Sequence, residues 1–377
     1  MKKPIPFIDL KAQQEKIRSQ VDCAVSKVLD HGSYIMGPEV FEFEKKLRDF
    51  CGAKHVISCS NGTDALGLGL MAKDVKAGDA VFIPSFTFAA TAEVIAWMGA
   101  IPIFIDSLKD TYNMDPKSLE EGIQRAKKES LRPAGIITVD LFGQPANYDA
   151  IQEIADQHEL WIMADGAQSF GATYKNRKVG SIGDIATTSF FPAKPLGCYG
   201  DGGAVFTNND ALADKIKSLR VHGKGVDKYD NVRIGMNGRL DTIQAAILME
   251  KLKIFPAEIE ARQKTATLYS EGLKDLVQVP KVLSETTSSW AQYTVVLPEG
   301  INRKKLMDNM KEKGIPTVIY YGKPLHLQTA YKDYITATGG PLPVCENLSE
   351  HVLSLPMSGY VKEEDISFIL HNLRKNF

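Results

Sequence analysis

Neither sign of charge is in excess along this sequence. The 377 residues include 45 basic and 46 acidic side chains, which leaves a formal net charge of −1. A protein that binds nucleic acid needs a basic excess to neutralise the phosphate backbone, so we expect no nucleic-acid partner. Any anionic ligand must instead be bound by groups placed locally around it.

Long apolar runs and paired cysteines are also missing. No run approaches the roughly 18 apolar residues that cross a bilayer, and the polar opening stretch has no apolar core of a secretory signal. The cysteines are odd in number and show no C-x-x-C spacing, which argues against disulfides and metal ligands. We therefore expect a cytoplasmic protein, without metal or membrane association, that keeps five reduced thiols: Cys23, Cys51, Cys59, Cys198 and Cys345.

Short apolar runs bounded by turn residues alternate with stretches of helical patterning through the first two thirds of the chain. This alternation predicts an α/β fold, in which helices flank a mostly parallel seven-stranded sheet. No long helix separates the last two runs, so we expect them to pair antiparallel. The seven runs are HVISC (55–59), AVFI (80–83), IPIFI (101–105), GIITV (135–139), LWIMA (160–164), IATTSF (185–190) and GAVFT (203–207).

The pattern becomes sparser after a helical segment at about 240–254, which we expect to end before Pro256. Beyond it come one strand-like run at 292–296 and helical patterns near 303–313 and 363–374. The sequence predicts a large domain over residues 1–250 and a smaller α+β domain over 251–377.

Ligands of open α/β sheets collect beyond the carboxyl ends of the strands. Asn61, Gly62 and Thr63 follow the first run and precede a helical segment, where small residues and helix N–H groups suit a phosphate. An ordinary Asn-Gly turn is the better explanation of this stretch when it is considered alone, because such loops are common. Asp165 follows the fifth run, and a helix cap would equally explain a carboxylate there.

Lys194 follows the sixth run, between two prolines and ahead of a glycine cluster. These rigid and tight surroundings favour a buried loop over a surface tether. Pyridoxal phosphate requires a lysine amine for its aldehyde and a carboxylate for its ring nitrogen. Phe86 or Phe88, after the second run, is able to stack on such a ring, although both also fit a hydrophobic core. We hypothesise a pyridoxal-phosphate site that uses Lys194 and Asp165.

The chain resembles the sugar-nucleotide aminotransferases of the DegT/StrS type, which have the fold-type-I architecture of pyridoxal-phosphate enzymes. The resemblance extends over nearly the whole chain, and the block at 189–208 is its most specific part. The matching motifs are FIDL (7–10), YIMGPEVFEFE (34–44), SNGTDAL (60–66), PSFTFAATAE (84–93), DLFGQPA (140–146), DGAQSFGA (165–172), SFFPAKPLGCYGDGGAVFTN (189–208), NGRLDTIQAAIL (237–248), YYGKPLHLQ (320–328) and LSLPM (353–357).

The resemblance implies a role for each matching residue. Asn237 would reach the cofactor phosphate of a neighbouring subunit, which implies a homodimer with shared active sites. Lysine at position 194 favours transamination, because relatives with histidine there are dehydratases. The implied contacts within one subunit are Lys194 as the Schiff-base lysine, Asp165 at the ring nitrogen, Phe88 stacked on the ring, Gln168 near the 3-hydroxyl, and Gly62, Thr63 and Ser189 at the phosphate.

The resemblance also implies the substrates: L-glutamate as amino donor and a nucleotide-linked keto-sugar as acceptor. We expect C3 amination of UDP-2-acetamido-2-deoxy-3-keto-glucuronic acid, in the synthesis of surface polysaccharides such as lipopolysaccharide O-antigen. The alternative is C3 or C4 amination of a dTDP- or UDP-linked keto-deoxysugar. Arg239 would hold a carboxylate or form an interface ion pair. Tyr320, Tyr321 and His326 are candidate sugar contacts, although relatives often carry histidine where Tyr320 stands.

Two other functions remain open at this stage. One is a pyridoxal-phosphate lyase, such as a desulfurase that would use Cys198 as a reactive thiol. The other is a regulator that binds the cofactor without catalysis. The presence of Lys194, Asp165 and Asn237 together argues against a regulator, which would not need all three.

Overall fold

Seven strands rich in β-branched and aromatic residues form the central sheet of the computed structural model, which describes residues 4–227 and 229–377. The sheet order is β1-β9-β8-β5-β4-β2-β3, and β9 alone runs antiparallel to its two neighbours. This confirms the predicted seven-stranded, mostly parallel sheet and the antiparallel pairing of its last two runs. The strands are β1 (His55–Cys59), β2 (Asp79–Pro84), β3 (Ile101–Ile105), β4 (Arg132–Val139), β5 (Trp161–Asp165), the short pair β6 (Thr173–Tyr174) and β7 (Arg177–Lys178), β8 (Ile185–Ser189) and β9 (Gly203–Thr207).

Helices cover both faces of the sheet because alternate strand residues point to opposite sides. In β2, Phe82 packs into the cluster that contains α2, α5, α6 and α8, whereas Val81 and Ile83 pack into the cluster that contains α3, α4, α7 and α10. The helices are α1 (Leu10–His31), α2 (Pro38–Cys51), α3 (Gly62–Ala72), α4 (Ala90–Trp97), α5 (Pro116–Lys128), α6 (Tyr148–Gln157), α7 (Asp210–Leu219), α8 (Thr242–Leu273), α9 (Arg303–Glu312), α10 (Pro343–His351) and α11 (Glu363–Arg374).

The expected helix end before Pro256 is wrong, because α8 continues through this proline to Leu273. Proline within a helix costs about 3 kcal/mol, since it removes one hydrogen bond and crowds the preceding turn. Burial of Phe255, Tyr269 and Leu273 on the same helix outweighs that cost, at about 2 kcal/mol for each large apolar side chain. Local sequence marks the proline, but only packing shows that the helix survives it.

The C-terminal part has its own apolar cluster, which runs from Ala266 on α8 to Leu373 on α11 and also includes Ile5. A two-stranded antiparallel sheet of β10 (Tyr293–Val296) and β11 (Val352–Leu355) lies within it. The predicted domain boundary at residue 250 falls inside α8, and the division into 1–250 and 251–377 stays a prediction. In the described part of the chain, no helix is both long and apolar enough to cross a membrane.

Candidate active site

The carboxyl ends of β1, β8 and β5 lie side by side at one edge of the sheet. Gly203 of β9 pairs with Ser189 at the end of β8 and with Cys59 at the end of β1. Asp165 at the end of β5 pairs with Thr187 of β8. The loops that carry the candidate phosphate, lysine and carboxylate groups therefore leave the sheet at neighbouring points.

The loop after β1 forms a cup at the start of α3. Asn61 caps this helix, because its side-chain oxygen accepts a hydrogen bond from the Asp64 amide at 2.7 Å. A Cβ atom on Gly62 would lie 2.6 Å from Ser189 Cβ, so only glycine lets the loop approach β8 this closely. The structure thus brings together Gly62, Thr63 and Ser189, where two hydroxyls and the first N–H groups of α3 suit a phosphate.

Asp165 is buried, with 7% of its surface exposed. Its carboxylate accepts hydrogen bonds from the Ala167 amide at 3.1 Å and from the Thr91 hydroxyl at 3.2 Å. Burial raises the pKa of Asp165, while the Ala167 amide, the positive charge of Lys194 and the Thr91 hydroxyl act to lower it. Sequence reasoning missed Thr91, although a hydroxyl in the first turn of α4 beyond β2 was the signal available.

Lys194 lies in a tight loop that begins at the end of β8. Its amide donates to the Phe191 carbonyl at 2.8 Å, and the Cys198 amide donates to the Phe190 carbonyl at 2.8 Å. Burial lowers the pKa of the Lys194 ammonium, and this effect is larger than the opposing effect of the Asp165 carboxylate, which raises that pKa. The two groups therefore interact. A lowered pKa leaves more of the lysine as the neutral amine, which is the form that attacks an aldehyde and accepts protons.

Cys198 is four residues beyond Lys194 but has none of the features of a reactive thiol. Its Sγ is buried and donates to the Phe190 carbonyl at 3.0 Å. Burial raises the pKa of Cys198 to about 11, so the thiolate is scarce at neutral pH. This environment argues against a desulfurase that would use Cys198.

Gln168, Tyr321 and Phe88 form the next part of the site. Gln168 Nε2 donates to the Tyr321 hydroxyl at 3.1 Å, and Gln168 Oε1 accepts from the Phe142 amide at 2.7 Å. The Phe88 ring is 57% exposed and lies 6.5 Å from the Tyr321 ring, whereas Phe86 is fully buried. Of the two aromatic candidates, Phe88 therefore presents a ring face beside the buried polar groups, and Phe86 belongs to the core.

The other two candidate sugar contacts differ in their exposure. Tyr320 is half-buried, and its ring lies 5.8 Å from that of Tyr321. His326 is buried, its Nδ1 lies 2.7 Å from Ser85 Oγ and its Nε2 lies 3.1 Å from Glu346 Oε1. Both ring nitrogens of His326 are thus engaged inside the protein, where they join the loop after β2 to α10.

Asn237 and Arg239 precede α8, in a different part of the chain from these groups. They are hydrogen-bonded to each other, and in residues 4–227 and 229–377 neither forms a hydrogen bond or ion pair with Lys194 or Asp165. Arg239 Nε is buried and has no hydrogen-bond partner within that part of the chain. The preceding segment exposes Val226 and Ile234, at 106% and 91%.

An amine, a buried carboxylate, an exposed aromatic ring and a helix-start cup thus surround one region, and this set fits pyridoxal phosphate. The sequence profile of the DegT/DnrJ/EryC1/StrS aminotransferase family matches residues 15–374. The chain belongs to this family. The enzyme is therefore a pyridoxal-phosphate-dependent aminotransferase with the fold-type-I architecture, as the sequence predicts.

Three relatives illustrate how closely the aminotransferase matches others of its family. It is 46% identical to UDP-2-acetamido-2-deoxy-3-oxo-D-glucuronate aminotransferase of Pseudomonas aeruginosa, over 97% of this chain and 98% of that one. It is 35% identical to dTDP-3-amino-3,4,6-trideoxy-alpha-D-glucose transaminase of Streptomyces venezuelae, over 98% and 96%. The crystal structure of a family aminotransferase from Brucella abortus superposes with a TM-score of 0.96 at 53% identity, over 98% and 99% of the two chains.

Proposed function

We propose that this aminotransferase moves the amino group of L-glutamate to the C3 keto group of UDP-2-acetamido-2-deoxy-3-keto-glucuronic acid. The observation that carries the transamination is the meeting of Lys194 and Asp165 beyond β8 and β5. The higher identity to the UDP-sugar enzyme than to the dTDP-sugar enzyme, 46% against 35%, supports the sugar. A cytoplasmic role in surface-polysaccharide synthesis, such as that of O-antigen, follows from this substrate.

The side chains divide the work of proton and charge handling. Bound pyridoxal phosphate supplies an electron sink for the carbon that carries the amino group. Lys194, with its lowered pKa, would act first as a base and take the proton from the donor's Cα. It would then act as an acid and give this proton to the carbon that receives the amino group. The Asp165 carboxylate keeps the ring nitrogen protonated, which stabilises the charge that develops.

The remaining contacts orient the cofactor. Phe88 would stack on the cofactor ring, and Gln168, which is hydrogen-bonded to Phe142 and Tyr321, would hold the 3-hydroxyl. Gly62, Thr63 and Ser189 bind the phosphate at the start of α3. Tyr320 and Tyr321 contact the sugar. His326 holds the loop that carries them, through Ser85 and Glu346.

A second subunit completes each site in this proposal. The exposed apolar side chains of Val226 and Ile234 are typical of a protein interface. Arg239 Nε, buried and without a partner in the described part of the chain, has donor capacity left for a group from outside it. Asn237 would then bind the phosphate in the neighbouring subunit, and Arg239 a substrate carboxylate.

The substrate is tested with L-glutamate and a panel of UDP- and dTDP-linked keto-sugars, with products read by mass. We expect an amino-sugar from the UDP-3-keto-uronate and repeated release of 2-oxoglutarate only when that sugar is present. Lys194→Ala should form neither product. Amination of a dTDP- or UDP-keto-deoxysugar alone, at C3 or C4, would replace the proposed sugar. Repeated release of 2-oxoglutarate without any sugar, beyond one equivalent per active site, would contradict an aminotransferase activity on sugars.

The shared site is tested by mixing two inactive variants. A dimer of one Lys194→Ala chain and one Asn237→Ala chain contains one intact site if Asn237 serves its neighbour. Random mixing should then restore about a quarter of wild-type activity, because half of the dimers are mixed and each has one working site of two. No recovery in mixed dimers, separated by two affinity tags, would place Asn237 in its own subunit's site or remove its role.

A further inference from the structure

Asp140 is a second buried carboxylate at the carboxyl end of β4, next to Asp165 on β5, and none of the roles above uses it. Its surface is fully buried. The Asp140 amide donates to the Asp165 carbonyl at 3.1 Å, which ties the two strand ends together. The two acidic residues thus lie side by side at the carboxyl ends of the adjacent strands β4 and β5.

Three donors surround the Asp140 carboxylate. Oδ1 accepts from the Ala146 amide at 2.9 Å and from the Tyr148 hydroxyl at 2.8 Å, and Oδ2 accepts from the Ser169 hydroxyl at 2.7 Å. Ser169 belongs to the turn after Asp165, and its own amide donates to the Gly166 carbonyl at 3.1 Å. Asp140 therefore holds the turn that carries both Asp165 and Gln168.

The Asp140 site accommodates either protonation state. The Ala146 amide can only donate, but the hydroxyls of Tyr148 and Ser169 can each turn to accept from a protonated carboxyl. Burial and, to a smaller extent, the negative charge of Asp165 raise the pKa of Asp140 to about 7, against the three hydrogen bonds that lower it. The carboxyl therefore gains or loses its charge in the physiological range without a lost contact.

We propose that Asp140 is a positioning residue of the amino-transfer site. Its carboxylate holds the Asp165–Ser169 turn, and its charge increases the proton affinity of the cofactor groups that Asp165 and Lys194 contact. The proposal rests on the proposed function only in that Asp165 and Lys194 bind the cofactor. Tyr148 on α6 and Asp165 on β5 are the titratable groups that face Asp140; Lys194 in turn acts on Asp165, and the charge of Asp165 acts on Tyr321.

Two variants separate charge from contact. Asp140→Asn removes the charge and keeps the hydrogen bonds, because its oxygen faces Ala146 and Tyr148 and its amide donates to the Ser169 hydroxyl. Ser169→Ala keeps the charge and removes one hydrogen bond. The measurement is the pH midpoint of the visible absorbance of the bound cofactor, together with the dissociation constant of the cofactor.

We expect Asp140→Asn to lower the absorbance midpoint by up to about one pH unit, the effect of one unit charge at about 12 Å in a medium of effective dielectric constant near 20. Ser169→Ala keeps the carboxyl but removes a donor that lowers its pKa, so it should move the midpoint by only part of that amount and weaken cofactor binding a few-fold. An unchanged midpoint in Asp140→Asn, or equal shifts in both variants, would overturn the proposal.

Two further arrangements keep the test decisive. If Asp140→Asn does not fold, Tyr148→Phe removes one donor, keeps Asp140 protonated to higher pH, and should move the midpoint part of the way in the same direction. An unmoved midpoint in Tyr148→Phe would then overturn the proposal. No keto-sugar enters these titrations, so a failure of the proposed sugar and a failure of the Asp140 proposal are seen separately.

Discussion

Removing the charge of Asp140 should change how the stability of the protein depends on pH, even without cofactor. Burial raises the pKa of this carboxyl from its usual 3.8 to about 7 in the folded state. The folded state therefore holds the proton more tightly than the unfolded state does. The resulting stability is fully present below about pH 4 and is lost as the pH rises through 7. At 1.36 kcal/mol per pH unit, the whole change amounts to about 4 kcal/mol at most.

Asparagine at position 140 does not titrate. The free energy of unfolding of Asp140→Asn should therefore increase relative to that of the wild type as the pH rises from 5 to 8.5. The assay is urea unfolding of both proteins without cofactor, followed by fluorescence at several pH values. Asp156→Asn, on the exposed face of α6, is the control and should track the wild type. A difference between wild type and Asp140→Asn that stays constant over this range would refute the reasoning.

Three other changes test particular contacts. Lys194→Ala should abolish turnover and the visible absorbance of the cofactor-bound protein, whereas a variant that keeps full activity would remove Lys194 from its role. Gly62→Ala places a Cβ 2.6 Å from Ser189 Cβ and should raise the dissociation constant of pyridoxal phosphate at least tenfold. Gly67→Ala is the control, because no atom lies within 4 Å of its new Cβ, and it should leave this dissociation constant unchanged. Lys251 Nζ lies 2.5 Å from the Gly197 carbonyl, and burial lowers the pKa of this ammonium to about 8. The folded state therefore binds this proton less tightly than the unfolded state does. The stability of the wild type relative to Lys251→Met should rise between pH 8 and 10.5. Parallel pH profiles of these two proteins would contradict that burial effect.

Local pattern was enough for the layers of the fold. Each strand is a short apolar run, and the absence of a long helix between the runs at 185–190 and 203–207 indicated their antiparallel pairing. The rule that ligands bind beyond strand ends then directed attention to Asp165 and Lys194. These inferences need only neighbouring residues and a general topological rule.

Residues that act through distant partners were beyond that reasoning. Thr91 contacts Asp165 across 74 positions, and His326 contacts Ser85 across 241. The sequence marks Thr91 only as a hydroxyl in the first turn of a helix beyond a strand, and neither Thr91 nor His326 carries a mark of the distant residue that it contacts. His326 is an example, because its two ring nitrogens contact Ser85 in the loop after β2 and Glu346 on α10, while its role as a sugar contact stays a prediction.

The sequence by itself therefore determined the strands of the central sheet and put forward Lys194 and Asp165 as the candidate amine and carboxylate, since these depend on periodicity and on which residues follow each strand. Only the tertiary structure decided that α8 continues through Pro256, that Phe86 is core while Phe88 presents its ring, and that Asp140 lies behind Asp165. The physical reason is common to all three. Burial, and the pKa changes that follow from it, depend on neighbours that folding brings together from far along the chain.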